Sequence, residues 1–235
     1  MFKQTLMVAA LLVAGTSYAA PVTQWNFNSV TPDTLTTTGT LTPNIGSGTA
    51  SLVGGTTATF ASGAGSSDPV TVDDSGWNLS TFAAQGAGNL TRGAQFQVST
   101  VGFQDVVFSY DLRHSNTAPR SEAVQYSLDG TNFVTASLFS GNLGDTWFNG
   151  RTVDLSLITG ANNNANLTFR VLASFEPGTS AYAASNATST YGTSGTWRFD
   201  MVTVSAVTAV PEPETYAMLL AGLGLVGLVR RRRTN

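Results

Sequence analysis

The chain has 235 residues, a formal net charge of −3, no cysteine, and only 11% charged residues against 42% hydrophobic ones. Between residues 20 and 209 there is no lysine, and six arginines face twelve acids, a formal charge of −6; nucleic acid, whose backbone demands Lys and Arg to displace its counterions, is not an expected partner. Disulfides and cysteine nucleophiles are excluded outright, and a single histidine, His114, is too few for a His-based metal motif.

Met1 to Ala19 opens with Lys3, continues through an apolar run from Leu6 to Ala14 and ends in the small-x-small triplet Ser17-Tyr18-Ala19. This is the layout of a secretory signal peptide, with cleavage expected after Ala19. Residues 20–209 then form one exported domain, a size that all-β folds often fill singly.

Along this domain the apolar residues alternate with polar ones instead of recurring at helical spacing, so strands are predicted throughout. Trp25-Asn26-Phe27 is the first short strand. Ala50 to Val53 and Ala58 to Phe60 are brief strands inside a Thr/Gly/Pro-rich stretch. The signal strengthens at Phe96 and Val98, then at Val106, Phe108, Tyr110 and Leu112, and again at Val124, Tyr126 and Leu128. Asp129-Gly130 supplies a hairpin turn before a strand from Phe133 to Leu138. Val153, Leu155 and Leu157 precede a polar turn at 160–164, and Leu167, Phe169, Val171, Ala173 and Phe175 form a core strand. A low-complexity loop, 176–194, has Tyr182 and Tyr191 as its only large anchors, and Trp197 to Val204 closes the domain. Eight to eleven strands at intervals of about ten residues with Gly-rich turns predict an all-β, two-sheet antiparallel sandwich or jelly roll.

The opening W-N-F-N, the central Y-S-L-D-G-T-N-F hairpin and the final W-R-F-D-M-V-T-V-S strand resemble the galactose-binding-type jelly rolls of carbohydrate-binding modules. The resemblance implies sugar contact and a structural calcium that ties the first strand to the last. The matching positions are Asp200 near the end and Asn28 or Asp33 near the start. Calcium takes six to eight oxygen ligands, and a domain without disulfides gains from such a cross-link.

A catalytic set is not expected. His114 lies within a few residues of Asp111 and Ser115 on one strand, where alternate side chains point to opposite faces, so the three cannot form a relay. Asp73-Asp74 and Glu122 are the acids that a glycosidase-like pair would draw on, and a secreted hydrolase stands as the alternative reading. Binding is the preferred one, through Trp147 and its neighbour Phe148 as flat faces for a sugar ring and Arg113, Arg120 and Arg151 as forked donors to hydroxyls or carboxylates.

The last stretch, 210–235, reads V-P-E-P-E-T-Y-A-M-L-L-A-G-L-G-L-V-G-L-V-R-R-R-R-T-N. Its apolar run, about 215–229, would cover roughly 22 Å as a helix at 1.5 Å per residue, short for a hydrocarbon core of about 30 Å. The cluster Arg230, Arg231, Arg232 and Arg233 can snorkel to the headgroups and is expected to stay cytoplasmic. Gly222 to Gly227 fits G-x-G-x-x-G, but no strand precedes it and the chain ends eight residues later, so it is not a dinucleotide site. Pro211-Glu212-Pro213, a short hydrophobic helix and a terminal Arg cluster, in that order, resemble the PEP-CTERM sorting signal of Gram-negative bacteria. The resemblance implies export across the inner membrane, transient anchoring by one transmembrane helix, and recognition by an exosortase that cuts near Pro-Glu-Pro and delivers the protein to the cell surface or extracellular matrix, where exopolysaccharide is the expected contact.

Overall fold

The computed structural model describes residues 19–209, together with Leu220 and Leu223. The expected signal peptide, apart from Ala19, and the expected membrane helix, apart from those two leucines, lie outside the described residues. Among the described residues no helix is long and apolar enough to cross a membrane.

The domain is all-β, in two antiparallel sheets. Its strands are β1 (Ala20–Trp25), β2 (Gly48–Val53), β3 (Thr57–Ser62), β4 (Ser75–Ser80), β5 (Gly93–Val98), β6 (Phe103–His114), β7 (Ser121–Ser127), β8 (Val134–Ser140), β9 (Thr146–Asp154), β10 (Leu167–Ser174) and β11 (Trp197–Thr208), with one 3-10 turn at Thr159–Ala161. One sheet runs β3-β4-β11-β6-β9, with β1 also paired to β11; the other runs β2-β5-β10-β7-β8. From β4 to β7, and again from β8 to β11, successive strands alternate between the sheets. Each crossing forces the intervening loop over one end of the sandwich.

The alternation seen in the sequence is the inner face of each sheet. Trp25, Phe96, Phe108, Tyr110, Phe169, Trp197 and Phe199 are all fully buried, and Phe108 of one sheet stacks on Phe169 of the other with centroids 4.3 Å apart. Burying one such side chain contributes about 1.5–3 kcal/mol, which is how a domain without disulfides holds two sheets together. Tyr182 and Tyr191 anchor the long 176–194 loop as expected: their rings stack at 4.8 Å, and their hydroxyls donate to Gly88 O and Ala83 O at 2.8 and 2.6 Å.

Three local expectations differ. The first strand starts earlier and ends at Trp25, and two residues on Phe27 turns the chain with a left-handed φ of 55°. Leu155 and Leu157 fall beyond β9, and Leu157 is 92% exposed. Strand β4, S-G-W-N-L-S, is absent from the sequence expectations; it puts Trp77 and Leu79 into the core and pairs with β3 and β11.

Candidate functional site

Because strand side chains alternate, a residue next to an inward Phe199 points outward, and Asp200 does so from the middle of β11. It is nevertheless fully buried. The cover is the β3–β4 connection, residues 63–68, strapped across the outer face of the six-stranded sheet. Trp147 Nε1 donates to Ala64 O at 2.9 Å and Asn149 Nδ2 to Gly65 O at 3.1 Å. Ser67 donates through both its N–H and its hydroxyl to Asp111 Oδ2, each at 2.6 Å, while Gly150 N donates to Asp111 Oδ1 at 2.7 Å. Gly63 lies so close beneath that a Cβ there would collide with Asp74 Oδ1 and Asp200 Oδ2.

Under the strap three carboxylates converge. Asp68, Asp74 and Asp200 each place an oxygen within 4.8 Å of the others. Asp200 accepts from the Ser66 hydroxyl at 2.8 Å and from the Met201 N–H at 2.7 Å, but Asp74 Oδ1 is buried with no hydrogen-bond partner. Burial, opposed in part by the Ser66 and Met201 hydrogen bonds and reinforced by the charges of Asp68 and Asp74, pushes the Asp200 carboxyl up to about 8. Burial, with the charge of Asp68, raises Asp74 to about 6. Three acids crowded together, with one buried oxygen unpartnered, form an all-oxygen donor set of the kind a hard divalent cation takes.

Two of the three residues expected at a metal meet here. Asp200 is in the trio, and Asn28 holds it from the side: its Nδ2 donates to Asp68 Oδ2 at 2.9 Å while its Oδ1 accepts the Ser75 N–H at 2.8 Å. Asp33 is not in the trio. It organises its own turn, accepting from Leu35 N at 2.6 Å and Thr38 Oγ1 at 2.8 Å. Asp68 and Asp74 were not legible as ligands; each sits in a short polar stretch that reads as a turn.

The expected sugar contacts are scattered. Arg113 and Trp147 are cross-strand partners on the outer face of β6 and β9, but Arg113 pairs with Asp145 at 2.9 Å and Trp147 is committed to the strap. Arg120 binds Ala184 O at 3.0 Å through Nε. Arg151 points inward between the rings of Phe139 and Phe148 and pairs with Glu122 Oε1 at 3.0 Å. The possible catalytic acids are also apart: Glu122 and His114 are fully buried and pair with each other at 2.8 Å between the sheets, whereas Asp74 belongs to the trio and Asp73 accepts from Ser29 N.

A surface that the alternation reading missed is the outer face of the five-stranded sheet. The registers place Ser51, Gln95, Arg170, Gln125 and Thr135 in one row across β2, β5, β10, β7 and β8. Arg170 Nε donates to Gln95 Oε1 at 2.8 Å, Gln125 Nε2 donates to Thr135 Oγ1 at 3.3 Å, and the Arg170 guanidinium lies 3.6 Å from the centroid of the Phe133 ring. With strands about 4.8 Å apart, the row spans about 19 Å of hydrogen-bonding groups. Thr49, Gln97, Thr168 and Ser127 form a second polar row beside it.

Fold and site together define a two-sheet β-sandwich with a buried oxygen cluster at one face and a polar sheet surface on the other. The chain carries the PEP-CTERM protein-sorting motif over residues 209–233, a signal of export and membrane anchoring in Gram-negative bacteria. No curated protein matches the sequence. Among solved structures, the chain is similar to the CBM22-1 and GH10 modules of a Clostridium thermocellum endo-1,4-β-D-xylanase complexed with xylohexaose, at 12% identity and a TM-score of 0.48, covering 84% of this chain and 30% of that one. It is also similar to the K2 cleaved adhesin domain of Lys-gingipain, at 16% identity and a TM-score of 0.39, covering 81% and 99%. A third is SGBP-B from a xyloglucan utilisation locus of Bacteroides uniformis, at 12% identity and a TM-score of 0.36, covering 70% and 48%. At these identities and scores nothing of their ligands or activities transfers to this chain.

Proposed function

We propose that this is an exported, non-catalytic surface or matrix protein. On this reading an exosortase processes its tail, the outer face of its five-stranded sheet contacts exopolysaccharide, and a calcium ion at Asp68, Asp74 and Asp200 fixes the strap. The observation that carries the polysaccharide reading is the row from Ser51 to Thr135. Amide, hydroxyl and guanidinium groups at strand spacing match the repeating hydroxyls of an extended glycan, and a guanidinium already stacked on Phe133 spends little entropy on being held. The calcium would screen three clustered carboxylates, two of them buried, from one another and hold the 63–68 segment on the sheet.

Affinity electrophoresis of the protein through gels containing the host exopolysaccharide tests the first part. Retardation of the wild type is expected, with at least a tenfold loss of affinity in Arg170→Ala combined with Gln125→Ala at an unchanged melting temperature. Equal retardation of wild type and double variant would refute the assignment of the binding face. Intact-mass measurement of the surface-released protein tests the second. Its C-terminus is expected near Pro211 to Pro213, and a released form that still carries Arg230 to Arg233 would contradict processing.

A further inference from the structure

A cleft of about 330 Å³ opens where the chain leaves β1. Polar groups of Asn26, Thr40, Thr42, Asn44 and Asp73 line it, and Val30, Val70 and Val72, all exposed, form an apolar wall together with Pro32 and Pro43. The volume is at the lower end of small-molecule sites, which run from about 300 to 1,000 Å³.

The cleft is built rather than incidental. Its 40–45 wall is tied to β1 by Thr40 N to Phe27 O at 3.2 Å, Asn44 N to Gln24 O at 2.9 Å and Gln24 N to Ile45 O at 3.0 Å. Its opposite wall is tied by Ser29 N to Asp73 Oδ2 at 3.2 Å. Two non-glycine residues beside it, Phe27 and Asp73, are held at φ 55° and 63°, a conformation that costs energy and persists where the surroundings impose it. Asp73 is only 4% exposed, and its Oδ1 has no hydrogen-bond partner.

We infer that this cleft binds one neutral sugar ring, with the C–H face of the ring against the valine wall and its hydroxyls bonding the Asn26, Thr42 and Asn44 side chains. The charge of the site selects against an acidic sugar. Asp33 lies beside Asp73 and is held ionised by the Leu35 N–H and the Thr38 hydroxyl, so a uronate would bring a further carboxylate against them. The polysaccharide-facing row lies elsewhere, on β2, β5, β10, β7 and β8, and the two assignments stand or fall separately.

Saturation-transfer difference NMR on the full-length chain, with D-glucose, D-galactose, L-rhamnose and D-glucuronate as probes, tests the inference. At least one neutral sugar is expected to give a saturable signal with a millimolar Kd, and glucuronate to bind at least tenfold more weakly. Thr42→Trp, at an exposed position, fills the cleft and is expected to abolish the signal. Asp73→Asn, which tolerates the left-handed φ and removes a charge, is expected to narrow the preference over glucuronate. The inference is overturned if no neutral sugar gives a saturable signal, if Thr42→Trp binds as the wild type does, or if glucuronate binds as well as the neutral sugars.

Discussion

Replacing Glu122 by alanine lowers the unfolding free energy by about 3–5 kcal/mol, the usual consequence of removing one partner from a buried ionic cluster. Glu122 comes from β7 of one sheet and meets His114 of β6 and Arg151 of β9 from the other, at 2.8 and 3.0 Å. Tyr110 donates its hydroxyl to Glu122 Oε1 at 3.3 Å. The Nδ1 of His114 lies 2.9 Å from Pro119 O, and since a carbonyl only accepts, that nitrogen carries a hydrogen. Nε2 then faces the Glu122 carboxylate. Removing Glu122 therefore strands a guanidinium and an imidazole in a dry interior. A domain of this size loses roughly 2–4 °C of Tm per kcal/mol, so a drop on the order of 10 °C is expected in thermal unfolding. The triple replacement Glu122→Leu, Arg151→Met, His114→Phe is expected to regain most of it, because an apolar set of similar volume carries no desolvation cost. Stability of Glu122→Ala within 1 kcal/mol of wild type would show that the cluster does not join the sheets energetically.

Calcium is expected to stabilise the domain and to invert the effect of a single substitution. A ligand at a hundred times its Kd adds about 2.7 kcal/mol, read as a rise in Tm between chelator and calcium at pH 8. The pH dependence of the chelator-treated protein follows from the raised carboxyls. Asp200 titrates at about 8 when folded and near 4 when unfolded. The stability contributed by its protonated form is thus complete below about pH 4 and is lost as pH rises to about 8. Asp74, raised to about 6, adds to the loss in the lower part of that window. With calcium bound the carboxylates stay ionised, and acid instead weakens the site. Asp200→Asn cannot ionise, so at pH 8 it should melt above wild type in chelator and below it in calcium. Coincident melting curves for wild type with and without calcium at pH 8 would remove the cation from the account.

The inner face of the sandwich was legible because burial enforces a period of two: Phe96 and Val98, or Leu167 to Ala173, leave no other reading. Strand β4 was not, since Ser75 and Gly76 follow a pair of aspartates and look like a turn. Gly76 is needed because a Cβ there would press on the Arg198 side chain and Phe199 O. Asp200 was reached through a resemblance; the strap that buries this outward-facing acid had no sign in the sequence. Asp68 and Asp74 gave no local signal because their meeting depends on how residues 63–68 fold back across the outer face of their own sheet. The row from Ser51 to Thr135 was invisible for a similar reason. Each strand shows which residues point outward, but the register that lines up Gln95, Arg170 and Gln125 is a property of pairs of strands.

Strand β11 is the centre of its sheet, bonded to β1, β4 and β6, and it ends at Thr208, one residue before the sorting motif begins. A pull transmitted from an anchored tail therefore enters the domain along its most heavily bonded strand. Ala206 lies beside Ala20 in antiparallel register, so force applied between the two ends of the domain peels the single ladder of β1 and leaves the one to β6 loaded along its length, where its bonds must yield together. The same placement sets the order of assembly. The middle of the six-stranded sheet is its last strand among the described residues, so the sheet closes only once the segment next to the sorting motif has joined it.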